Sequence, residues 1–263
     1  MECNCARRGT DHMSAVSDHY QRLLAPIYLW MAGGPEHALT LGAADLSSLG
    51  IRTSSGTAAV DLGAGIGMHA IPLAQLGYSV TAVDSSAVLL GELRRLGEGL
   101  GIRTIEGDLL DFEASAATPP ALILCMGDTL THLPCVGDVD LLCSRIAVSL
   151  ALGGRFVATF RDYTRPALGD ARFISVRSDA NRIHTCFLEE LGDRMLVYDI
   201  VQERQDSGAW AMRVSHYPKL RLDPGVVVRV LERKGLHVVR STGPRGMVQV
   251  SAVRPHNDST HGK

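Results

Sequence analysis

The amino-acid sequence predicts a doubly wound α/β fold with a seven-stranded sheet and an antiparallel β insertion after the fifth strand. Up to residue 160, short apolar runs alternate with helix-length amphipathic segments. This alternation is typical of a parallel sheet with helices on both faces. Beyond residue 160 the pattern changes to successive strand-like segments joined by turns that contain Gly and Asp, which indicates antiparallel pairing.

Hydrophobic periodicity and the residues that start and stop each segment define the elements in chain order. An N-terminal arm over residues 17–31 has helical spacing, is interrupted by Pro26 and ends at Gly33. Further helices are predicted over residues 37–49, 68–76, 87–100, 136–152 and 224–234. Strands are predicted over residues 57–62, 78–83, 103–106, 122–126, 155–160, 172–177, 183–190, 195–203, 210–222, 237–241 and 247–253.

These elements divide the chain into six predicted segments. They are a flexible leader over residues 1–16, an N-terminal helical arm or lid over 17–50, an α/β core over 51–160, an antiparallel β insertion on the substrate side over 161–222, a return to the core sheet over 223–253 and a flexible tail over 254–263.

Composition excludes several classes of protein. Hydrophobic residues make up 46% and charged residues 21% of the 263 residues, as in globular proteins with a sizeable core. The net charge is -2 and no basic run stands out, so a nucleic-acid partner is not expected. No segment has the roughly 18 consecutive apolar residues of a membrane span, and the first residues lack the apolar core of a signal peptide. We therefore expect a cytoplasmic protein without a membrane partner; the oligomeric state stays open.

The strongest local signal is the glycine-rich segment VDLGAGIG at residues 60–67, between a predicted strand and a predicted helix. Glycines there let the backbone turn tightly and approach a ligand closely. A dinucleotide-binding loop has its third glycine three positions after the second, but that position holds Met68, and Gly67 comes one residue early. The spacing therefore differs from that of a dinucleotide site.

Two acids follow the glycine-rich loop along the chain. Asp84 closes the second strand, 23 positions after Asp61, where a carboxylate can accept hydrogen bonds from ribose hydroxyls. Asp108 follows the third strand. Because the carboxyl ends of parallel strands meet at one edge of the sheet, these acids are expected beside the loop.

The pattern acid-x-Gly-x-Gly-x-Gly at residues 61–67, followed by the two acids, resembles motif I and its partners in the class I methyltransferases that use S-adenosylmethionine. The resemblance implies a Rossmann-like core, S-adenosyl-L-methionine as methyl donor, S-adenosyl-L-homocysteine as product and a small-molecule acceptor. It also implies that Asp108 meets the adenine amino group and that an aromatic-bearing arm covers the donor. The donor-binding residues expected on this basis are Asp61, Gly63, Ala64, Gly65, Gly67, Asp84, Ser85, Asp108, Leu109, Met126, Gly127, Tyr20 and Tyr28.

Two further segments are similar to those of the glycine and sarcosine N-methyltransferases. Residues 127–133, GDTLTHL, resemble Gly-Asn-Ser-x-x-His-Leu, with Asp128 in place of Asn, and residues 160–163, FRDY, resemble His-Arg-Asn-Tyr. The resemblance implies that Arg161 grips an acceptor carboxylate, for which a planar guanidinium is suited. A salt bridge to an acid of the insertion is the alternative. Asp128 and His132 are candidates to take the proton of an amine, and a structural role is the alternative for His132.

The insertion adds His216 and Tyr217 as candidate substrate contacts. Adjacent residues of a strand point to opposite faces, so only one of them can line a pocket. Most other polar residues of the insertion are expected on a solvated face.

The sequence therefore predicts an S-adenosylmethionine-dependent methyltransferase that acts on an amine or amino-acid-like nitrogen. An S- or O-methyltransferase acting on a small thiol, sulfide or hydroxyl is the first alternative, and a non-catalytic S-adenosylmethionine-binding protein is the second. A methyltransferase acting on amino groups of nucleic-acid bases would carry an Asn/Asp-Pro-Pro-aromatic tetrapeptide after the fourth strand, which the sequence lacks. No metal site is predicted, because Cys and His lack paired ligand spacing apart from Cys3 and Cys5.

Overall fold

The computed structural model describes residue 16 and residues 18–115, 118–165 and 167–256. The predicted leader, apart from Val16, and the end of the predicted tail lie outside these residues. No helix in the described ranges is both long enough and apolar enough to cross a membrane.

The strands of the described chain form a seven-stranded sheet and a four-stranded sheet. The strands are β1 (Ala58–Leu62), β2 (Ser79–Asp84), β3 (Arg103–Glu106), β4 (Leu122–Cys125), β5 (Arg155–Phe160), β6 (Phe173–Ser178), β7 (Arg182–Leu191), β8 (Arg194–Arg204), β9 (Trp210–Leu220), β10 (His237–Thr242) and β11 (Val248–Val253). The large sheet has the order β10-β11-β5-β4-β1-β2-β3, and the small sheet has the order β6-β7-β8-β9.

The helices cover both faces of the large sheet. They are α1 (Tyr28–Met31), α2 (Pro35–Ser48), α3 (Ala70–Gln75), α4 (Ala87–Leu96), α5 (Val136–Ser149) and α6 (Pro224–Arg233). Side-chain caps start two of them: the Ser86 hydroxyl accepts from the Leu89 N–H before α4, and the Asp223 carboxylate accepts from the Gly225 N–H before α6.

Strand order reverses at β1, which pairs in parallel with β2 on one side and β4 on the other. The large sheet is parallel from β3 to β5, and β11 and β10 then add antiparallel strands. The small sheet, antiparallel throughout, follows β5 in the chain. This topology confirms the predicted fold class, and its reversal at β1 opens a crevice at the carboxyl ends of β1 and β4.

Alternating residues of the central strands fill two cores. Ile123 and Phe156 pack on the side of α5 and α6, whereas Leu122, Leu124 and Val157 pack on the side of α2, α3 and α4. A strand buried on both faces is apolar at nearly every position, which explains why these strands appear as continuous apolar runs.

The N-terminal arm differs from the predicted helix. Residues Tyr20–Leu24 form one turn of π-helix, Ala25–Ile27 form a 3-10 turn, and the α-helical turn α1 follows. Pro26 has no backbone N–H and its ring crowds the preceding turn, so a regular α-helix cannot run through it. The sequence analysis also missed the short 3-10 segment at Thr129–His132, directly after β4.

Candidate active site

A cavity lies at the carboxyl ends of β1, β2 and β4 and is bordered by the N-terminal arm. Its wall includes twelve of the expected site residues: Tyr20, Tyr28, Gly63, Ala64, Gly65, Asp84, Ser85, Asp108, Leu109, Met126, Gly127 and His132. Asp61, Gly67, Asp128, Arg161, His216 and Tyr217 do not belong to this wall. The cavity therefore brings the loop after β1 together with the acids after β2 and β3.

The three glycines of the loop after β1 have positive φ angles but different surroundings. A Cβ on Gly63 would lie 2.5 Å from Thr129 Cγ2, and a Cβ on Gly67 would lie 2.8 Å from Leu93 Cγ. A Cβ on Gly65 would meet nothing within 4 Å. Gly67 thus allows packing against α4, whereas Gly65 borders open space where a ligand can approach the backbone.

The Asp84 carboxylate ties the loop to the end of β2. Its Oδ2 accepts from the Gly65 N–H at 2.8 Å, and its Oδ1 accepts from the Ser86 N–H at 2.8 Å. Burial raises the pKa of Asp84, and the backbone hydrogen bonds partly offset this effect. Asp84 therefore shapes the loop while lining the cavity.

Asp61 lies behind the loop, with 1% of its surface exposed. Its Oδ2 has no hydrogen-bond partner among the described residues. Burial raises the pKa of Asp61 to about 6, and the nearby charge of His69 partly opposes this effect. Asp61 and Asp84 together make this end of the cavity negative, which fits the cationic sulfonium and ammonium groups of S-adenosylmethionine.

Tyr20 and His132 also belong to the cavity wall and contact each other. The Tyr20 hydroxyl lies 3.4 Å from His132 Nε2, and the two rings are edge to face with centroids 5.6 Å apart. The His132 ring stacks on Tyr217, with centroids 5.4 Å apart and an interplanar angle of 10°. Burial, and then the charges of Tyr28 and Asp84, raise the pKa of Tyr20 well above its usual value. Tyr20 therefore stays a neutral phenol at physiological pH.

Asp128, which the sequence analysis proposed as a proton acceptor, is fully engaged elsewhere. Its carboxylate accepts from the Tyr163 hydroxyl at 2.9 Å, the Arg161 N–H at 2.9 Å and the Thr131 hydroxyl at 3.0 Å, and it pairs with the Lys219 ammonium. Burial alone would raise the pKa of Asp128, but the Lys219 charge and these hydrogen bonds hold it below its usual range. The structure thus assigns Asp128 to the junction between β5, β9 and the loop after β4.

The structure also corrects the positions expected for the insertion residues. Arg161 lies outside the cavity wall, half exposed, with its guanidinium 3.7 Å from the Asp128 carboxylate. His216 is exposed and stacks on Tyr198 on the outer face of the small sheet. Tyr217 points to the inner face, where it contacts His132. His216 and Tyr217 thus point to opposite faces of the small sheet, as expected for adjacent strand residues, and Tyr217 is the one that faces inward.

Several residues of the site were missed by sequence reasoning. Thr129 and Ser86 line the cavity beside the glycine loop. His69 also lines the cavity, and its Nε2 lies 3.1 Å from the Asp45 carboxylate.

A second group of residues that sequence reasoning missed lies in the insertion, where His184, Cys186 and Asp199 bring their ligand atoms within 4.8 Å of one another. The spacing His-x-Cys within a predicted strand could have indicated two of these residues, His184 and Cys186, because it places both side chains on one face of the strand.

The reversed strand order, the glycine-rich loop after β1, Asp84 at the end of β2 and Asp108 after β3 fit the class I methyltransferases that use S-adenosylmethionine. Residues 59–154 match the methyltransferase domain family. The chain is accordingly an S-adenosylmethionine-dependent methyltransferase. A comparison with curated protein sequences returned no match.

Solved structures similar to the chain share its fold. The methyltransferase CcbJ from Streptomyces caelestis is 20% identical, with 91% of this chain and 96% of that chain covered and a TM-score of 0.68. The sugar N-methyltransferase KedS8 from Streptoalloteichus sp ATCC 53650 is 13% identical, with 84% and 86% covered and a TM-score of 0.64. The glycopeptide N-methyltransferase MtfA, in complex with S-adenosyl-L-homocysteine, is 22% identical, with 81% and 87% covered and a TM-score of 0.56.

Proposed function

We propose that the protein transfers the methyl group of S-adenosylmethionine to an amine nitrogen of a small molecule, with Tyr20 and His132 removing the proton of the amine. The observation that carries this proposal is the contact between the Tyr20 hydroxyl and His132 Nε2, on the same cavity wall as the donor-binding loop. A phenol that stays protonated can pass a proton to an imidazole, and that is the exchange an amine acceptor requires.

The charges around the cavity favour an amine over a thiol. The described lining residues include Asp84 and Asp108 but neither Lys nor Arg. A Lys or Arg that would stabilise a thiolate acceptor is thus absent from the described lining, whereas an amine needs only a neutral base. The similar structures KedS8 and MtfA are N-methyltransferases of a sugar and a glycopeptide, which makes an amine the first acceptor to test.

In this proposal the glycine-rich loop and the N-terminal arm bind and orient S-adenosylmethionine and the acceptor. S-adenosylmethionine, when bound, supplies a methyl group on a positively charged sulfur. Gly65 would give the donor room beside the backbone, Asp84 would bind its ribose, and Asp108 would meet its adenine. Tyr20 and Tyr28 border the cavity from the arm and exclude water, which keeps the acceptor nitrogen aligned at an attack distance of about 3 to 3.5 Å.

The reaction needs one proton transfer beyond the methyl shift. The nitrogen lone pair forms the new N–C bond as the S–C bond breaks, and the electron pair of that bond stays on sulfur. The methylated nitrogen then passes its proton to the Tyr20 oxygen while Tyr20 passes its own proton to His132 Nε2. Tyr217, stacked on the imidazole, holds the ring in the plane that this transfer needs.

Arg161 has a narrower role in this proposal than the one first expected. Because its guanidinium lies outside the cavity wall, it can meet only a part of the acceptor that extends beyond the cavity. The proposed acceptor is therefore a small molecule with a neutral amine, and a carboxylate on it is not required.

The acceptor class is tested by measuring S-adenosylhomocysteine production by the purified full-length protein. One panel contains amino sugars, amino acids and small amines, and the other contains thiols, sulfide and phenols. We expect turnover with amines. Turnover confined to thiols or phenols would overturn the amine assignment, and donor binding without turnover on either panel would favour a non-catalytic binding protein.

The proton path is tested with Tyr20→Phe and His132→Asn. Each substitution is expected to lower kcat for the amine about 100-fold to 10,000-fold and to flatten the pH profile, while the dissociation constant of S-adenosylhomocysteine changes little. Tyr198→Phe on the outer face of the small sheet is the matched control. A full kcat and an unchanged pH profile in both variants would contradict the proposed path.

A further inference from the structure

A buried cluster of side chains with metal-ligand chemistry lies between the arm and the small sheet. It consists of His19, His184, Cys186 and Asp199 and is called here the four-residue cluster. His184 Nε2 lies 2.6 Å from Asp199 Oδ1, and Cys186 Sγ lies 2.9 Å from the same oxygen. On the other side of the carboxylate, His19 Nε2 lies 2.8 Å from Oδ2. His19, His184 and Asp199 are each no more than 2% exposed.

Strand register brings these residues together. His184 and Cys186 alternate along β7 and so share one face, and Cys186 stands directly opposite Asp199 on β8. His19 comes from the N-terminal arm, next to Tyr20. Three separate parts of the chain thus place polar atoms around the Asp199 carboxylate, with His184 and Cys186 at Oδ1 and His19 at Oδ2.

The donor set suits a borderline-soft divalent cation such as Zn²⁺. Zinc prefers four ligands drawn from imidazole nitrogen, thiolate sulfur and carboxylate oxygen. A thiolate and a carboxylate together carry two negative charges, so a divalent cation with two neutral imidazoles leaves the buried site neutral. The Cys186 thiol would release its one proton to solvent on binding.

His19 Nε2 donates to the Asp199 carboxylate in this structure, but its surroundings also accommodate the tautomer that a metal ion requires. His19 Nδ1 lies 2.8 Å from the Ser215 hydroxyl, and a proton on Nδ1 leaves the Nε2 lone pair directed at the cluster. A hydrogen-bonded second nitrogen is the usual arrangement for a metal-bound imidazole. Ser215 stands opposite Asp199 in the register of β8 and β9, so the same strands position the ligand and the group that orients it.

The separations are close to those of a tetrahedral site. Bond lengths of about 2.0 to 2.3 Å place neighbouring ligand atoms roughly 3.3 to 3.6 Å apart. The Cys186 Sγ and His184 Nε2 atoms are 3.9 Å apart, and the two contacts to Asp199 Oδ1 are shorter. For His184, Cys186 and Asp199, shifts of less than about 1 Å convert the hydrogen-bonded arrangement into a coordinated one, and His19 would join as the fourth ligand by replacing its contact with Asp199 Oδ2.

We propose that the four-residue cluster binds one Zn²⁺ ion, which clamps the N-terminal arm to the small sheet. The site is separate from the donor cavity, and this inference does not depend on the identity of the acceptor. Because His19 precedes Tyr20, the ion holds the arm segment that borders the active site.

The test is a titration of the full-length protein with Co²⁺ under a phosphine reductant, in a background carrying Cys3→Ser and Cys5→Ser. A four-coordinate site with one thiolate gives intense visible d–d bands and a near-ultraviolet sulfur-to-cobalt charge-transfer band. We expect both at one equivalent of Co²⁺, and we expect one equivalent of Zn²⁺ to abolish them.

Cys186→Ser is expected to remove the charge-transfer band, whereas Cys143→Ser, at a buried free thiol elsewhere in the core, should leave it intact. His19→Gln should weaken Co²⁺ binding at least 10-fold and should increase proteolytic cleavage of the arm in the presence of Zn²⁺. Absence of the bands, or bands that persist in Cys186→Ser, would overturn the proposal and leave a hydrogen-bonded cluster. Neither readout requires turnover.

Discussion

At the scale of single residues, the surroundings of each buried carboxylate decide what it does. Asp61 and Asp128 are each 1% exposed. Asp128 receives several donors and a buried ammonium, and its pKa falls. Asp61 keeps one oxygen without a partner among the described residues, and its pKa rises to about 6. The protein therefore bears a desolvation cost at Asp61, next to the glycine-rich loop after β1.

We predict that Asp61→Asn stabilises the donor-free protein above pH 6. The pKa of Asp61 is raised in the folded state from 3.8 to about 6, so the folded state retains a proton that the unfolded state has released. Stability is therefore lost as pH rises between these two values. At about pH 8 the substitution should add up to about 3 kcal/mol to the free energy of unfolding, and near pH 4 it should add little.

Urea denaturation at both pH values measures this difference. Asp206→Asn, in an exposed turn of the insertion, is the control and should show no such pH dependence. An equal free energy of unfolding for wild type and Asp61→Asn at pH 8 would show that the carboxylate is satisfied. Calorimetry on the same variant should show weaker S-adenosylhomocysteine binding, because stability and function compete at such a site.

At the scale of elements, the loop between β1 and α3 combines two separate tasks. Gly67 has a φ of +87° and faces the side chains of α3 and α4, whereas Gly65 has a φ of +54° and faces open space. The same residue type therefore serves packing at one position and ligand access at the other. This separation explains why Gly67 lies off the cavity wall although it belongs to the motif.

We predict that Gly67→Ala and Gly65→Ala have opposite profiles. Gly67→Ala should lower the free energy of unfolding by about 2 to 5 kcal/mol, since left-handed backbone costs about 1 to 2 kcal/mol and overpacking adds about 1 to 3 kcal/mol. Gly65→Ala should lower the free energy of unfolding only by the cost of the left-handed backbone, about 1 to 2 kcal/mol. It should weaken S-adenosylhomocysteine binding at least 10-fold, because the added methyl group enters the space that the donor needs.

Each variant is the control for the other, with urea denaturation and calorimetry applied to both. If Gly65→Ala bound the product with wild-type affinity, the donor would have to lie elsewhere in the cavity. If Gly67→Ala were as stable as wild type, α4 would have to be free to move away from the loop.

At the scale of the whole molecule, two of the buried polar contacts that join the insertion to the rest of the described chain involve a carboxylate. Lys219 of β9 pairs with Asp128 after β4, and Asp199 of β8 pairs with His19 of the arm. Lys219 is 5% exposed and lies 5.7 Å from the centroid of the Tyr217 ring, which stacks on His132. The insertion thus positions the aromatic residue that supports the proposed proton path.

We predict that Lys219→Met destabilises the protein by about 3 to 5 kcal/mol, because it leaves the Asp128 carboxylate buried without its cation. The double variant Asp128→Asn with Lys219→Met should recover much of this loss, since no uncompensated charge remains and Asn tolerates the left-handed backbone of position 128. Thermal unfolding and a double-mutant cycle measure the coupling.

The exposed pair formed by Lys234 and Asp140, 3.5 Å apart, is the matched control. Lys234→Met should change stability by less than about 1 kcal/mol. A loss of similar size at Lys219 would contradict the importance of the buried junction. Equal destabilisation in the single and double variants would show that Lys219 acts through packing alone.

The sequence by itself determined the order and type of nearly all elements, the donor loop and the acids beside it. These features depend on local properties: strand alternation, helix periodicity and the backbone freedom of glycine. The sequence predicted that the helix of the N-terminal arm is interrupted at Pro26. It did not predict the π-helical and 3-10 turns that surround this residue. The finer likeness to the glycine and sarcosine enzymes rested on residues 127–133 and 160–163. Gly127 and His132 of these segments lie on the cavity wall and Asp128 and Arg161 do not, so the structure does not confirm membership of that subgroup.

Only the tertiary structure decided which distant residues meet. Lys219 lies 91 positions from Asp128, and Asp199 lies 180 positions from His19. The register of β7, β8 and β9 makes these contacts and selects Tyr217 over His216. A shift of one residue in that register would turn every side chain to the other face, and no local pattern specifies it. The physical reason is that burial and charge pairing arise only when distant segments pack against one another, so the sequence of a single segment does not specify them.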